Sequence, residues 1–201
     1  MTRQGIITIL ETEGLSPNKM FGQNFLCDNN ITDKIINAAN PAAVDSILEV
    51  GPGLGELTSK LSERCNHITA VEIDSGLFRF LSHKFAEDNR VTLIHDDFLK
   101  AHLSGSFNKV IANLPYYCAS EILFKCTEDY SPSTICVMLQ KEMAERICAK
   151  HSGSADPSPS HREHDTAARV GGTKNLLRPR LNGGARAGDL RGSVCKNQEN
   201  E

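Results

Sequence analysis

The chain has 201 residues, enough for one domain of ordinary size with a core of its own. Its 22 Lys and Arg against 25 Asp and Glu give a formal net charge of -3, which does not advertise nucleic-acid binding, although a local basic face can serve where the net charge does not. No run of 18 apolar residues is present, which excludes a membrane-spanning helix, and the early acids of MTRQGIITILETEG argue against a secretory signal.

Composition changes sharply near Lys150. All eight Phe and all three Tyr lie before it. From His151 on, only Val170, Leu176, Leu177, Leu181, Leu190 and Val194 are large and apolar. Such a segment cannot bury enough surface to offset its chain entropy. The reading is therefore a folded unit over residues 1–150 and a tail without a core over 151–201. The seven Cys are scattered, with no CxxC pair and no ligand spacing. They read as reduced thiols of a cytoplasmic protein, several of them small core residues, and no metal site is expected.

In chain order, residues 18–26 read as a loop around Gly22. Residues 29–40 place Ile31, Ile35, Ile36 and Ala39 on one helical face, with Asn30 as N-cap, Asp33 in the first turn and Pro41 as terminator. Residues 46–50 are a short apolar run before glycines, which suits a buried strand. A helix carrying Leu57 and Leu61 follows, then a strand over 67–73. Leu77, Phe78, Leu81 and Phe85 mark a second crossover helix. Strands are expected over 90–97 and 107–115, a helix over 120–128, a fifth strand over 133–139 and a helix over 141–150. Strands alternating with helices imply an α/β fold, a parallel sheet with helices on both faces. Ligands in such sheets bind at the carboxyl ends of the strands, so the residues after strands one to four carry the argument.

After strand one comes Glu49-Val50-Gly51-Pro52-Gly53-Leu54-Gly55. Alternate glycines let the backbone approach a ligand closely, and the helix that starts there adds N–H groups; the same residues also suit a plain tight turn. The dinucleotide fingerprint differs, because its third Gly falls one place later. Strand two ends at Glu72, about 20 residues beyond the glycines, where an acid suits the two hydroxyls of a ribose. Strand three ends at Asp96, which can accept from an adenine amino group or simply make a turn. Strand four ends Asn113-Leu114-Pro115-Tyr116, the most specific signal. Pro115 stiffens the backbone, leaving the Asn113 side-chain carbonyl and nearby main-chain carbonyls as fixed acceptors. Tyr116 offers a flat ring for a base. An amino group conjugated to an aromatic ring is a poor nucleophile. Two acceptors gripping its hydrogens draw the nitrogen toward a pyramidal geometry and free its lone pair.

Together these residues resemble the ribosomal RNA adenine N6,N6-dimethyltransferase family. The resemblance adds Phe21 to Leu26 (FGQNFL), similar to that family's N-terminal signature, and Leu139 to Glu142 (LQKE) after strand five. It runs from about Asn18 to Lys150. It implies a Rossmann-like S-adenosylmethionine-dependent methyltransferase domain, with cofactor-binding positions at Asn24, Leu26, Gly51, Gly53, Glu72, Asp96 and Asn113. It places catalysis at Asn113, Leu114, Pro115 and Tyr116. Small-subunit ribosomal RNA is the implied partner, in a chain that is monomeric in the intact family. From His151 on the resemblance stops, where the family has a substrate loop, two more strands and a small helical domain. The sheet is accordingly expected to be incomplete at its C-terminal edge, with residues 134–139 an uncovered strand.

Three rivals stay open. One is the sister group that methylates an adenine of large-subunit rRNA and confers macrolide resistance, which shares these motifs. Another is a truncated, non-catalytic RNA-binding relative. The third is a nicotinamide dehydrogenase, supported only by the glycine loop and the acid.

Overall fold

The apolar run at residues 46–50 forms strand β1 (Ser46–Val50), and the whole sheet is built outward from it. The computed structural model describes residues 1–15, 25–26, 28–148 and 175–177. Strands β2 (His67–Glu72) and β3 (Val91–His95) add on one side of β1, and β4 (Lys109–Asn113) and β5 (Thr134–Leu139) on the other. These five are parallel, in the order 3-2-1-4-5. Reversal of the strand order at β1 and β4 leaves a crevice above their carboxyl ends, the place where open α/β sheets take ligands.

Two helices precede the sheet, α1 (Arg3–Thr12) and α2 (Asn29–Ala39); α3 (Glu56–Ser62) follows β1, and α4 (Ser75–Lys84) follows β2. Beyond β4 come α5 (Ala119–Lys125), extended by a π-helical turn at Cys126–Tyr130, and α6 (Lys141–Cys148) after β5. Successive strand residues face opposite sides of the sheet, and the core divides accordingly. Ile47, Ile68, Ile111, Cys136 and Met138 pack beneath α2 and α3, against Ile35, Ile36, Leu57 and Leu61. Leu48, Val50, Val110, Ile135 and Val137 pack on the other face with Ile122 and Leu123 of α5 and Ala144 of α6. Every residue of β5 is buried, as a strand inside a doubly covered sheet requires. The thiols of Cys65, Cys118, Cys126 and Cys136, none of them in a disulfide, are buried in this core.

The end of the sheet opposite the crevice is tied by one polar cluster. The Lys109 ammonium pairs with the Asp45 carboxylate at 2.6 Å and donates to the Asn40 carbonyl at 2.7 Å. Asn108 donates to the other Asp45 oxygen at 2.6 Å. A cation at the last carbonyls of α2 answers both the orphan acceptors and the helix dipole there.

Several expectations are corrected. The N-cap of α2 is Asp28, which accepts from the Asn30 amide at 2.8 Å; Asp28 reaches a first-turn donor that Asn30, already helical, cannot. Asp33 lies beyond the first turn and pairs with Lys60 instead. The strand edge expected to be bare is covered in part. A short strand β6 (Asn175–Leu177) runs antiparallel to β5, pairing Leu177 with Val137 and Asn175 with Leu139. Three residues are too few to show strand periodicity in a sequence. The expected coreless tail otherwise falls on residues 151–174 and 178–201, which lie outside the described residues. No helix among the described residues is long and apolar enough to cross a membrane.

Candidate functional site

Above the carboxyl ends of β1, β2 and β4 lies a cleft walled by the glycine loop, the end of β2, and the segment after β4. Its lining includes Leu26, Glu49, Gly51, Gly53, Glu72, Asn113, Leu114 and Pro115, so seven of the ten expected site residues meet there, with Glu49 besides. Of the rest, Asn24 lies outside the described residues. Asp96 and Tyr116 lie near the cleft but outside its lining.

The glycine loop owes its path to three positive φ angles, 69° at Gly51, 62° at Gly53 and 71° at Gly55, a region that costs an L side chain about 1–2 kcal/mol. The amides of these glycines are turned into the protein. Gly51 donates to the Val71 carbonyl at 2.9 Å and Gly55 to the Pro52 carbonyl at 2.9 Å. Gly53 donates to the Glu72 carboxylate at 3.1 Å. The glycines therefore serve less as donors than by what they lack. A Cβ at Gly51 would stand in open space within 4 Å of nothing, whereas one at Gly53 would touch Phe25 at 3.3 Å. The Lys84 ammonium of α4 closes the back of the loop, donating to the carbonyls of Leu54 at 2.9 Å and Gly55 at 3.1 Å.

Glu72 ends β2 almost wholly buried. One oxygen accepts from the Gly53 amide and the other from the Asp74 amide at 3.0 Å, so the carboxylate is held by backbone at both ends. Burial pushes its pKa up, and these two amides oppose the shift. Asp96 begins the turn after β3, donating its amide to the Glu72 carbonyl at 3.2 Å, with its side chain exposed at the rim. Asn113 ends β4 with its side-chain oxygen buried. The Leu114 amide donates to the Met138 carbonyl of β5 at 3.3 Å, which fixes the backbone where Pro115 stiffens it. In the following turn Tyr116 is half-buried, and Tyr117, 59 % exposed, is the tyrosine that lines the cleft. Two adjacent tyrosines carry no sequence signal for which of them turns inward.

Glu49, the first residue of the glycine motif, is the most deeply buried acid among the described residues. It is 1 % exposed, and its carboxylate accepts from the Thr58 hydroxyl of α3 at 2.8 Å. Burial pushes its pKa up to about 8, opposed by the Thr58 hydroxyl and the Lys84 charge and reinforced by Glu72. A polar residue in an otherwise apolar strand end was the available signal. A buried acid with a raised pKa contributes stability that is complete below the ordinary glutamate range and is lost as pH rises toward about 8. Stability should therefore fall between about pH 4.5 and 8, by at most about 1.4 kcal/mol per pH unit. Glu49→Gln should flatten that slope in urea unfolding. Parallel profiles for the two proteins would show that Glu49 is ionised throughout.

Among the described residues no group of three or more His, Cys, Asp or Glu is arranged to hold a metal ion. Ribosomal RNA small subunit methyltransferase A of Bacillus licheniformis is 41% identical over 154 residues, 72% of this chain and 53% of the relative. The chain thus spans about half the length of the curated relatives it matches. A dimethyladenosine transferase from Plasmodium falciparum superposes with a TM-score of 0.58 at 31% identity, over 63% of this chain and 47% of that one. The 23S rRNA methyltransferase ErmE does so with a TM-score of 0.58 at 30% identity, over 62% and 51%. The pattern of the family described as "Ribosomal RNA adenine dimethylase" matches residues 14–158, and the chain belongs to that family.

Proposed function

We propose that this chain binds S-adenosylmethionine and directs its methyl group to the exocyclic N6 of adenine in small-subunit ribosomal RNA, in the cytoplasm. The observation that carries the reading is the convergence of the glycine loop, Glu72 and Asn113-Leu114-Pro115 on one cleft. The residues fit the cofactor: Gly51 leaves open the space that a Cβ would fill, and Glu72 presents a fixed buried carboxylate beside it. When bound, S-adenosylmethionine supplies an electrophilic methyl group, and the protein contributes position and electrostatics.

The division of labour follows from the acceptors. Glu72 takes the ribose hydroxyls, Gly51 and Gly53 let the backbone pass close to the ligand, and Leu26 covers it from the N-terminal side. Asp96, at the rim, receives the adenine amino group of the cofactor, with Asn24 a further contact. Asn113 and the main-chain carbonyl at Leu114 hold the hydrogens of the target amino group, and Pro115 keeps that carbonyl in place. The target base leaves its stack to enter, which favours a loop or single strand, and stacks on the tyrosine turn. Tyr116 takes that role by resemblance; Tyr117 is the alternative its place in the lining suggests.

Relatives at 41% identity carry a small-subunit name, whereas ErmE stands at 30%, and this favours the small-subunit substrate over the large-subunit one. Methyl transfer by the purified chain to small-subunit RNA, with large-subunit RNA in parallel, tests the reading. Transfer to neither, with RNA still bound, would make the chain a non-catalytic relative. For the cofactor, Glu72→Ala should weaken S-adenosylmethionine binding by about 2 kcal/mol, roughly thirtyfold in Kd, the worth of charge-assisted hydrogen bonds. An unchanged Kd by calorimetry would refute the ribose assignment.

A further inference from the structure

The mechanism above leaves Glu49 unused, although it lines the cleft and is more deeply buried than Glu72. The two acids lie at the carboxyl ends of adjacent paired strands, β1 and β2, two residues out of register, since Glu49 pairs with Ala70 and Val50 with Val71. Every element packed around Glu49 presents a group that bears on its charge. From α3, Thr58 donates to it, and Glu56 faces the same cleft. From β2, Glu72 is a second negative charge. From α4, Lys84 is the nearby cation, but its ammonium is spent on the carbonyls of Leu54 and Gly55. From β4 comes the neutral Asn113, and from the tyrosine turn Tyr117. The Met1 ammonium also lines the cleft, but it is engaged by Glu56 at 2.6 Å.

Two buried carboxyl groups with no cation given over to them do not both ionise in a low-dielectric cavity. A ligand bearing a fixed positive charge changes that balance, because it offsets the repulsion and the lost hydration together. We propose that Glu49 is a further cofactor-binding residue, neutral in the empty cleft and ionised when a cationic ligand occupies it, so that S-adenosylmethionine enters as one proton leaves for solvent. The inference rests on the cofactor reading above. The O–H bond of the carboxyl breaks, the proton passes to buffer, and the carboxylate stays as counter-charge to the ligand. Linkage is reciprocal: whatever factor the ligand gains from ionised Glu49, Glu49 gains in acidity from the ligand. It also separates substrate from product. S-adenosylhomocysteine has lost the sulfonium charge, so it holds Glu49 ionised less well and leaves more readily.

Direct titration of the glutamate carboxyl carbons by NMR in ¹³C-labelled chain tests this. The Glu49 resonance is the one missing from Glu49→Gln, and Thr58→Val, which removes its hydrogen-bond donor, identifies it independently. In the free chain Glu49 should titrate near pH 8. Saturating S-adenosylmethionine should move that midpoint toward acid by about one pH unit or more, equal to at least a tenfold preference of the ligand for the ionised form. S-adenosylhomocysteine should move it less. A free-chain midpoint in the ordinary carboxylate range overturns the proposal. A midpoint unmoved by S-adenosylmethionine while the Glu72 resonance shifts overturns the coupling and leaves the cofactor reading standing. If neither resonance responds to saturating ligand, the cofactor reading fails and the coupling fails with it.

Discussion

Gly55→Ala is expected to destabilise the chain by about 3 kcal/mol, the largest stability loss of any single methyl group in the glycine loop. Two costs add at this position. The backbone sits at φ 71°, and a Cβ there would stand 2.8 Å from the Leu81 and Phe85 side chains of the α4 region. Both neighbours are packed in the core, so neither moves freely. Gly51→Ala meets no neighbour within 4 Å and should cost only the conformational part, about 1 kcal/mol. Its effect should appear instead in ligand affinity, because its methyl group projects into the open part of the cleft. Gly53→Ala falls between the two, with Phe25 at 3.3 Å. Urea unfolding of the three variants measures the order. Equal losses at Gly51 and Gly55 would mean that α4 does not clamp the loop as described.

That clamp shows where the sequence was legible and where it was not. Local patterns carried the sheet: the apolar run before the glycines is β1 to the residue, and the Leu77, Leu81 spacing marks the buried face of α4. The end-of-strand positions also brought Gly51, Gly53, Glu72 and Asn113 to one cleft, because a parallel sheet collects the carboxyl ends of its strands on one side. What escaped was tertiary. The contact of Lys84 with the carbonyls of Leu54 and Gly55 spans about thirty residues, and no pattern in either segment announces it. Helix α1 did leave a signal. Thr2 caps it by accepting from the Gly5 amide, and Ile6, Ile9 and Leu10 recur at helical spacing. The burial of Glu49 depends on α3 folding back to set Thr58 against it, which the letters of the motif do not show.

On the proposed function, Asn113→Ala is expected to lower the rate of methyl transfer by about 10²–10³ while changing RNA affinity little, since the acceptor that this reading aims at the reacting group acts mainly in the transition state. The structure makes this residue a rigid one. It closes β4, paired with Met138 of β5, and the next amide, that of Leu114, is bonded to the Met138 carbonyl at 3.3 Å. Pro115 follows, so neither flank can swing to replace a lost acceptor. The side-chain oxygen is buried, where an acceptor is worth more than in water. Removing it leaves the cleft, the glycine loop and Glu72 in place, and cofactor affinity should fall far less than the rate. Single-turnover methyl transfer to an adenine-containing hairpin separates the steps, with RNA and cofactor Kd measured on the same preparation. Asn113→Asp tests the acceptor itself, since it keeps a side-chain oxygen there, and it should retain more of the rate than Asn113→Ala despite the charge it adds beside Glu49 and Glu72. If RNA binding collapsed and the single-turnover rate held, Asn113 would be an RNA-docking residue, and the gripping of the amino group would have to come from the main chain alone.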